Sequence, residues 1–332
     1  MSEQHPFVAV SDIVFPNLDH ASEVLSKIGA ELHLAEQPTE EGVLRVARDA
    51  DALLVTYAKI TAEMIRQMKR CRIISRFGIG VDNVDIAAAT AAGIVVTKVP
   101  DYCIDEVSDH AMALLLAAAR KIPFANARVQ AGHWDMRAVV PIHRLRGGVL
   151  GLVGFGRIPQ LVAPKAKAFG LRVVAHDPYV PAEVLARAGV EGVSFAELLK
   201  VSDYISIHTP LMPETYRLFR AEVFAQMKPS AYLINTARGP IVDEADLARG
   251  LDAGQLAGAA LDVMTQEPAA GSPPLASPLF GRDNVILTPH TSFYSEESLV
   301  DLETKAAEEV VRVLSKQLPR NAVNPEALRQ TA

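Results

Sequence analysis

The first hundred residues alternate between short apolar runs and longer segments in which apolar residues recur every three or four positions. The short runs predict buried strands, and the periodic segments predict helices. The predicted strands are Phe7–Val10, Glu31–Leu34, Ala52–Thr56, Arg72–Ser75 and Ile94–Val99, with helical patterns between them at Ala21–Ile28 and Thr61–Met68. Strands that alternate with helices form parallel sheets covered on both faces, so this region predicts an α/β domain.

A long helical pattern, from Asp105 to Lys121, leads into a second alternation of strands and helices. Its predicted strands are Val149–Val153, Leu171–Ala175, Tyr204–His208, Ala231–Asn235, Ala259–Val263 and Val285–Thr288. A final helix, Ser298–Gln317, follows the last strand, and the simplest arrangement packs it back on the first sheet. We therefore expect two doubly wound domains: a discontinuous one formed by residues 1–100 and 291–332, and an inserted one formed by residues 101–290.

The segment GLVGFGRIPQ, at the start of the second sheet, has the pattern of a dinucleotide-binding turn between a strand and a helix. Gly154 permits the tight turn, and Gly156 lets the backbone approach a pyrophosphate. The N–H groups at the start of the following helix, at Arg157 and Ile158, would face the phosphates. The pattern therefore predicts a phosphate-binding turn.

The usual third glycine of this pattern is replaced by Pro159, which is tolerated in the first turn of a helix. Pro164 lies further along and predicts a kink. Asp177, about twenty residues beyond the glycines, is placed to accept hydrogen bonds from both ribose hydroxyls and to repel a 2′-phosphate. This favours NAD over NADP. The alternative is that Asp177 only caps the loop before Pro178.

Composition narrows the class of protein. The 332 residues carry a net charge of −6, which argues against a nucleic-acid surface. Two cysteines cannot form a disulfide framework. The sequence starts with no basic segment followed by a long apolar stretch, and eighteen consecutive apolar residues occur nowhere. We expect a cytoplasmic protein.

Three polar residues follow predicted strands of the second sheet, where ligands of doubly wound folds bind. Arg238 offers a planar fork for a carboxylate and a neighbouring carbonyl oxygen. His290 can exchange a proton with an alcohol or ketone, and Glu267 could orient its ring. This chemistry suits hydride transfer coupled to proton transfer. Each residue also has a structural alternative, as a helix cap, a loop acid or a buried hydrogen-bonded histidine.

One cluster of potential metal ligands comes just before and within the long helix, at Asp101, Cys103, Asp105, Asp109 and His110. Helix capping and the first helical turns explain most of its members, so we predict no metal site.

Seven segments together resemble the D-2-hydroxyacid dehydrogenase family over essentially the whole chain. They are RFGIGVDNVD, VPDYCIDEVSDH, GLVGFGRIP, HTPLMPET, NTARGPIVDE, ALDVMTQEP and TPHTSFYSEES. The resemblance implies a Rossmann NAD-binding domain inserted in a flavodoxin-like substrate domain, and interconversion of a 2-oxo acid and a D-2-hydroxy acid. It places the catalytic set on Arg238, Glu267 and His290, and a contact to the nicotinamide carboxamide on Asp262. Arg238 would also belong to the cofactor lining, whose further members are His208, Thr209 and Ala237.

Within that family the segments look closest to the C-terminal-binding-protein branch, which includes transcriptional corepressors. By this resemblance Arg76 contacts the substrate carboxylate, and the N–H groups of Gly78, Ile79 and Gly80 form an anion cradle. The candidates for the pocket wall are Tyr57, Tyr102 and Phe293. Phe293 stands where the corepressors carry a tryptophan, so the resemblance does not identify the preferred oxo acid.

The resemblance also implies a homodimer paired through the long helix and the arm that follows it, Asn126 to Arg146. A second function remains open: an NADH-sensing, corepressor-like binding protein with secondary dehydrogenase activity. A phosphoglycerate dehydrogenase is a weaker option, because we expect no C-terminal regulatory domain after the last helix and find only Arg76 and Lys98 as candidates to bind a phosphate.

Overall fold

A computed structural model describes residues 5–268 and 275–329 of the chain. The chain divides into two compact units, which we call unit 1 (Met1–Tyr102 and Ser295–Ala332) and unit 2 (Cys103–Tyr294). Each unit contains one parallel sheet with helices between its strands. This confirms the predicted α/β class with two parallel sheets, one of them in a discontinuous unit. Within the described residues, no helix is both long enough and apolar enough to cross a membrane.

Unit 1 is built on a five-stranded sheet in the order β2-β1-β3-β4-β5. Its strands are β1 (Phe7–Val10), β2 (Glu31–Leu34), β3 (Ala52–Val55), β4 (Ile73–Arg76) and β5 (Val95–Thr97). Its helices are α1 (Asp19–Ser26), α2 (Glu40–Ala47), α3 (Ala62–Gln67), α4 (Ile86–Ala91) and the C-terminal α12 (Glu296–Leu314). The strand order is the flavodoxin-like one.

The C-terminal segment belongs to unit 1 because buried polar groups attach it there. The Ser75 hydroxyl of β4 donates to the carbonyl of Ala306 in α12 at 3.0 Å. Further along, the buried Asn324 amide accepts a hydrogen bond from Val96 N–H at 2.7 Å and donates to the Ile94 carbonyl at 3.0 Å. The tail therefore satisfies backbone groups beside β5 that would otherwise be buried without partners.

Unit 2 is built on a seven-stranded sheet in the order β12-β11-β10-β9-β6-β7-β8. Its strands are β6 (Val149–Val153), β7 (Arg172–His176), β8 (Glu191–Gly192), β9 (Tyr204–Ile207), β10 (Tyr232–Asn235), β11 (Gly258–Leu261) and β12 (Val285–Leu287). Its helices are α5 (Ile104–Ala119), α6 (Ile122–Gln130), α7 (Arg157–Ala168), α8 (Ala182–Arg187), α9 (Phe195–Val201), α10 (Ala221–Phe224) and α11 (Glu244–Asp252). The strand order reverses at β6, as it does in a Rossmann fold.

The predicted long helix, Asp105–Lys121, corresponds to α5, and a second helix, α6, follows it. Lys121 adopts a left-handed conformation with φ of +52° and separates α5 from α6. The predicted arm therefore starts inside a helix, since α6 extends to Gln130. Pro123 stands in the first turn of α6, where a proline fits. The sequence pattern predicts the end of α5 but not α6, because none of the residues of α6 is buried.

Candidate active site

The glycine turn after β6 brings three predicted cofactor residues together. Gly154 has φ of +92°, and a Cβ on it would lie 3.0 Å from the backbone carbonyl of His208 and 3.1 Å from Thr209 N. The His208 N–H also donates to Val153 O at 2.8 Å. Only glycine suits this conformation and this close approach. The turn therefore lies directly against the segment that follows β9.

Helix α7 begins immediately after this turn, with Gly156 as its N-cap. A Cβ on Gly156 would meet no described atom within 4 Å, so the backbone is open on that side. A glycine has no side chain to cap the first N–H groups of the helix, and these groups suit a phosphate. Pro159 is the third residue of α7, within its first turn, and the helix continues through Pro164.

Asp177 connects the end of β7 to the same turn. Its Oδ2 accepts a hydrogen bond from Phe155 N–H at 2.8 Å, and its Oδ1 accepts one from Tyr179 N–H at 2.9 Å. A carboxylate has about four acceptor positions, so capacity remains on both oxygens for the two hydroxyls of a ribose. Together, the open turn, the helix start and this carboxylate fit an NAD molecule.

His208 sits beside the turn, where its environment favours the neutral ring. Burial lowers the pKa of its imidazole to about 3, so the ring stays neutral. Its Nε2 lies 2.9 Å from the Ser206 hydroxyl. A neutral, half-buried ring is suited to lining a cofactor site, which is the role that the sequence predicts.

His290 and Glu267 are paired at the carboxyl ends of β12 and β11. The Nδ1 atom of His290 lies 2.6 Å from Glu267 Oε2, with the two side chains 20% and 34% exposed. The other carboxylate oxygen, Oε1, accepts a hydrogen bond from Met264 N–H at 3.1 Å. Because an ionised carboxylate only accepts, Nδ1 carries the proton of this hydrogen bond.

Arg238 follows β10, in a turn fixed by the buried Asn235. The Asn235 amide donates to the Arg238 carbonyl at 2.9 Å and accepts from Ala237 N–H at 2.9 Å. The next residue, Gly239, approaches the neighbouring loop so closely that a Cβ on it would lie 1.9 Å from Met264 O. The turn that carries Arg238 therefore packs directly on the loop that carries Glu267.

Asp262 is almost fully buried at the end of β11 and accepts several hydrogen bonds from the residues around His290. Its Oδ1 accepts from the Thr288 hydroxyl at 2.5 Å and from Thr291 N–H at 2.9 Å, and its Oδ2 accepts from Ser292 N–H at 2.9 Å. His110 of α5 lies 3.1 Å from the Thr288 hydroxyl through Nε2. Sequence reasoning assigned no role to Thr288 and explained His110 by its place near the start of a helix.

The substrate residues predicted by resemblance lie mainly in unit 1. Arg76 ends β4, is 8% exposed, donates from Nη1 to Phe77 O at 2.8 Å, and places its guanidinium 5.9 Å from the centre of the Tyr57 ring. Gly78 has φ of +150°, and a Cβ on it would lie only 1.1 Å from Arg76 Nη1. The glycine thus makes room for the guanidinium.

The three N–H groups of the predicted anion cradle are not equivalent. The N–H of Gly78 donates to Arg76 O at 2.9 Å and is already used within the chain. Ile79 and Gly80 are half-buried. Of the remaining wall candidates, Tyr102 is buried in unit 1, while Phe293 lies in unit 2 with its ring 6.1 Å from that of His290.

The cluster of potential metal ligands near the start of α5 has other contacts. Asp109 pairs with Lys165 at 2.6 Å, and His110 contacts Thr288. Among residues 5–268 and 275–329, no group of three or more histidine, cysteine or acidic side chains is arranged to hold a metal ion.

Comparison with known proteins identifies the family. Residues 112–292 match the family model described as the NAD-binding domain of D-isomer specific 2-hydroxyacid dehydrogenases. The chain is 40% identical over 311 residues to D-3-phosphoglycerate dehydrogenases of Methanocaldococcus jannaschii and Archaeoglobus fulgidus, covering 93% of this chain. The chain spans 58% of the length of each of these curated relatives.

A solved structure shows the same likeness in three dimensions. The crystal structure of D-lactate dehydrogenase from Aquifex aeolicus, complexed with NAD and lactic acid, has a TM-score of 0.86 and 28% sequence identity to this chain. The match covers 96% of this chain and 99% of that one. The fold, the glycine turn and the family match agree, and the protein therefore belongs to the D-isomer specific 2-hydroxyacid dehydrogenases, a family of NAD-dependent oxidoreductases.

Proposed function

We propose that this protein interconverts a 2-oxo acid and a D-2-hydroxy acid, with His290 as the acid and base and Arg238 as the residue that binds the substrate carboxylate and carbonyl. The observation that carries the proposal is the 2.6 Å contact between His290 Nδ1 and Glu267 Oε2. An isolated histidine has many structural uses. A histidine held by a carboxylate at the carboxyl end of a cofactor-binding sheet has the geometry of a proton carrier.

Each residue has a separate task in the reaction. During reduction, His290 donates a proton from Nε2 to the oxygen that becomes the hydroxyl, and during oxidation it takes that proton back. Glu267 keeps the proton on Nδ1 and stabilises the charged ring. Arg238 binds the carboxylate and polarises the adjacent carbonyl with its fork of N–H groups. When bound, NADH supplies the hydride for reduction and NAD accepts it for oxidation.

We assign NAD binding to unit 2 and the substrate contacts of Arg76, Gly78, Ile79 and Gly80 to unit 1. The sequence predicts a similar division, with boundaries at 100/101 and 290/291. The residues that would hold the cofactor line the carboxyl ends of β6, β7, β9, β10 and β11. They are Gly154, Gly156, Arg157, Ile158, Asp177, His208, Thr209, Ala237, Arg238 and Asp262. Binding of NAD through this set is supported by the open helix start after Gly156 and the remaining acceptor capacity of Asp177.

Two classes of substrate have support in the relatives. The curated relatives are named D-3-phosphoglycerate dehydrogenases, and one solved structure holds lactic acid. Both compounds are 2-hydroxy acids that a carboxylate-binding arginine such as Arg238 can hold. The substrate panel should therefore include pyruvate, glyoxylate and hydroxypyruvate with NADH, and 3-phosphoglycerate with NAD.

The test uses NADH absorbance at saturating cofactor. We expect His290→Gln to lower turnover far more than NADH affinity, because the ring acts on the proton and not on the cofactor. Arg238→Ala should lower turnover and raise the substrate KM together. Full turnover in His290→Gln would contradict the role of His290. Tight NADH binding with no turnover on any compound would favour the NADH-sensing alternative.

We also propose that the protein is a homodimer. Five apolar side chains in or near the predicted arm are exposed: Ile122 by 55%, Val129 by 45%, Trp134 by 90%, Met136 by 74% and Val140 by 58%. Apolar groups concentrated in one segment are typical of an interface. Light scattering should give twice the chain mass, and Met136→Glu should shift the protein toward a monomer. A wild-type monomer at micromolar concentration would contradict the proposal.

A further inference from the structure

The turn that carries His290 is held in an unusual backbone conformation. His290 has φ of +53°, in the left-handed region that non-glycine residues rarely adopt. Its N–H donates to the carbonyl of Asp262 at 2.8 Å and also lies 3.1 Å from the carbonyl of Thr288. The strain of this conformation needs support from the surrounding structure.

The carboxylate of Asp262 supplies that support by accepting hydrogen bonds from the turn. It accepts hydrogen bonds from the N–H groups of the two residues after His290, Thr291 and Ser292, both at 2.9 Å. Asp262 itself is 1% exposed, and its own N–H donates to Asn235 O at 2.9 Å. One buried side chain immediately after β11 thus fixes the path of the chain on the carboxyl side of His290.

The orientation of Asp262 is fixed in turn by a directed chain of hydrogen bonds. A carboxylate only accepts, so the single hydroxyl proton of Thr288 is donated to Asp262 Oδ1. The contact of 3.1 Å between His110 Nε2 and Thr288 Oγ1 must then be a bond in which His110 donates. His110 Nε2 also lies 3.6 Å from Asp262 Oδ1, which favours a donor at this position. The order of donation is His110 to Thr288 to Asp262.

We propose that His110, Thr288 and Asp262 form a positioning set that holds the His290 turn in its reactive conformation. The proposal rests on the proposed function, in which His290 exchanges the proton. His110 stands on α5, a helix of sixteen residues with one side buried. The set therefore connects the turn to a helix that is more rigid than a loop.

A contact from Asp262 to the nicotinamide carboxamide is compatible with this set. The carboxylate has about four acceptor positions, and Thr288, Thr291 and Ser292 occupy three of them. Variants of Asp262 itself would therefore disturb the cofactor and the turn together. His110 and Thr288 separate the two roles, because neither is among the residues assigned to cofactor or substrate.

The test compares disruptive and conservative variants of these two residues. Thr288→Val and His110→Leu remove the hydrogen bonds while keeping similar volumes. We expect kcat for oxo acid reduction to fall roughly 10- to 100-fold, since a small displacement of a reacting group is costly. NADH affinity should stay within about twofold of wild type. Thr288→Ser and His110→Gln retain the hydroxyl and a donor, so they should keep most of the activity.

Asp109→Asn is the matched control on the same helix, because its side chain is 70% exposed and contacts Lys165 instead of the turn. Its kcat should equal that of wild type. An unchanged kcat in both Thr288→Val and His110→Leu would overturn the proposal. Equal losses of NADH affinity and kcat would also overturn it, by assigning the set to the cofactor. If a disruptive variant does not fold, failure of its conservative partner to retain kcat overturns the proposal instead.

A different experimental result would contradict the proposed function. His290→Gln measured beside these variants decides whether His290 exchanges the proton at all. Full turnover in His290→Gln removes the proposed function. Lost turnover in His290→Gln, together with normal turnover in Thr288→Val and His110→Leu, removes only the positioning set.

Discussion

Glu267→Gln tests the pairing of His290 and Glu267 without changing the size of the side chain. In the wild-type protein the two carboxylate oxygens have separate partners, Met264 N–H at 3.1 Å and His290 Nδ1 at 2.6 Å. A glutamine has one carbonyl oxygen and one NH₂ group, so it can accept only one of these bonds at its oxygen. If the oxygen keeps Met264, the NH₂ group faces Nδ1 and opposes a proton there. If the oxygen instead accepts from His290 Nδ1, the NH₂ group faces the N–H of Met264, and two donors oppose each other there.

The size of the effect follows from the lost charge-assisted bond. Hydrogen bonds to charged groups contribute about 1.5–3 kcal/mol. The side chains of His290 and Glu267 are 20% and 34% exposed, so solvent screens part of this interaction and the lower half of the range applies. A loss of about 1.5–2 kcal/mol corresponds to a decrease of about 10- to 30-fold in kcat.

The assay is oxo acid reduction followed by NADH absorbance, with NADH affinity measured separately by fluorescence. Glu244→Gln serves as the control, because Glu244 supports the same loop by accepting from Thr265 N–H at 2.6 Å and does not contact His290. We expect its kcat to change by less than about threefold. Equal losses of kcat in the two variants would show that the order of the loop sets the rate. That result would contradict the role assigned to the Glu267 charge beside His290.

Three further changes have defined outcomes. Gly239→Ala places a Cβ 1.9 Å from the Met264 carbonyl oxygen, so kinetic and thermal measurements should show kcat reduced by about tenfold or more and a lower Tm. Asp177→Asn removes the charge that repels a 2′-phosphate, and paired titrations should show the preference for NADH over NADPH reduced by about tenfold. Burial raises the pKa of the Glu303 carboxyl, so its contribution to stability is present below the ordinary glutamate pKa and is lost as pH rises. Urea unfolding of wild type and Glu303→Gln should therefore show wild type losing stability relative to the variant above about pH 4; a constant difference would contradict this.

The alternation of elements could be predicted from the sequence because each strand is a short apolar run between turn residues. β6 and β9 are fully buried strands that the apolar pattern shows directly. Helix α6 could not be predicted, because none of its residues is buried and the apolar pattern therefore does not mark it. It starts after a positive φ at Lys121, a conformation that a lysine adopts only where surrounding contacts impose it.

Some residues of the candidate site could likewise be predicted from the sequence, and others could not. Glu267 and His290 are identifiable because strand ends and residue chemistry agree, and the structure brings their side chains together. His110 gives no such signal, since it is one polar residue near the start of a mainly apolar helix, 178 positions from Thr288 in the chain. Only the order of strands, which places β11 beside β12 and under α5, brings these residues together. Family motifs identify the residues that we propose to react, while the fold determines which residues contact them.

The left-handed conformation of His290 shows why both the sequence motifs and the fold are needed to explain the site. Such a conformation costs a non-glycine residue about 1–2 kcal/mol, and glycine at this position would avoid the cost. Glycine has no imidazole, so the proposed proton exchange requires the less favourable residue, and the strain must be offset by neighbours. The Asp262 carbonyl and carboxylate provide three hydrogen bonds to the N–H groups of His290, Thr291 and Ser292. At about 1 kcal/mol for each bond, these contacts are sufficient to offset the strain. A sequence in which Asp262 is replaced by an apolar residue should therefore lose the turn as well as any contact to the cofactor.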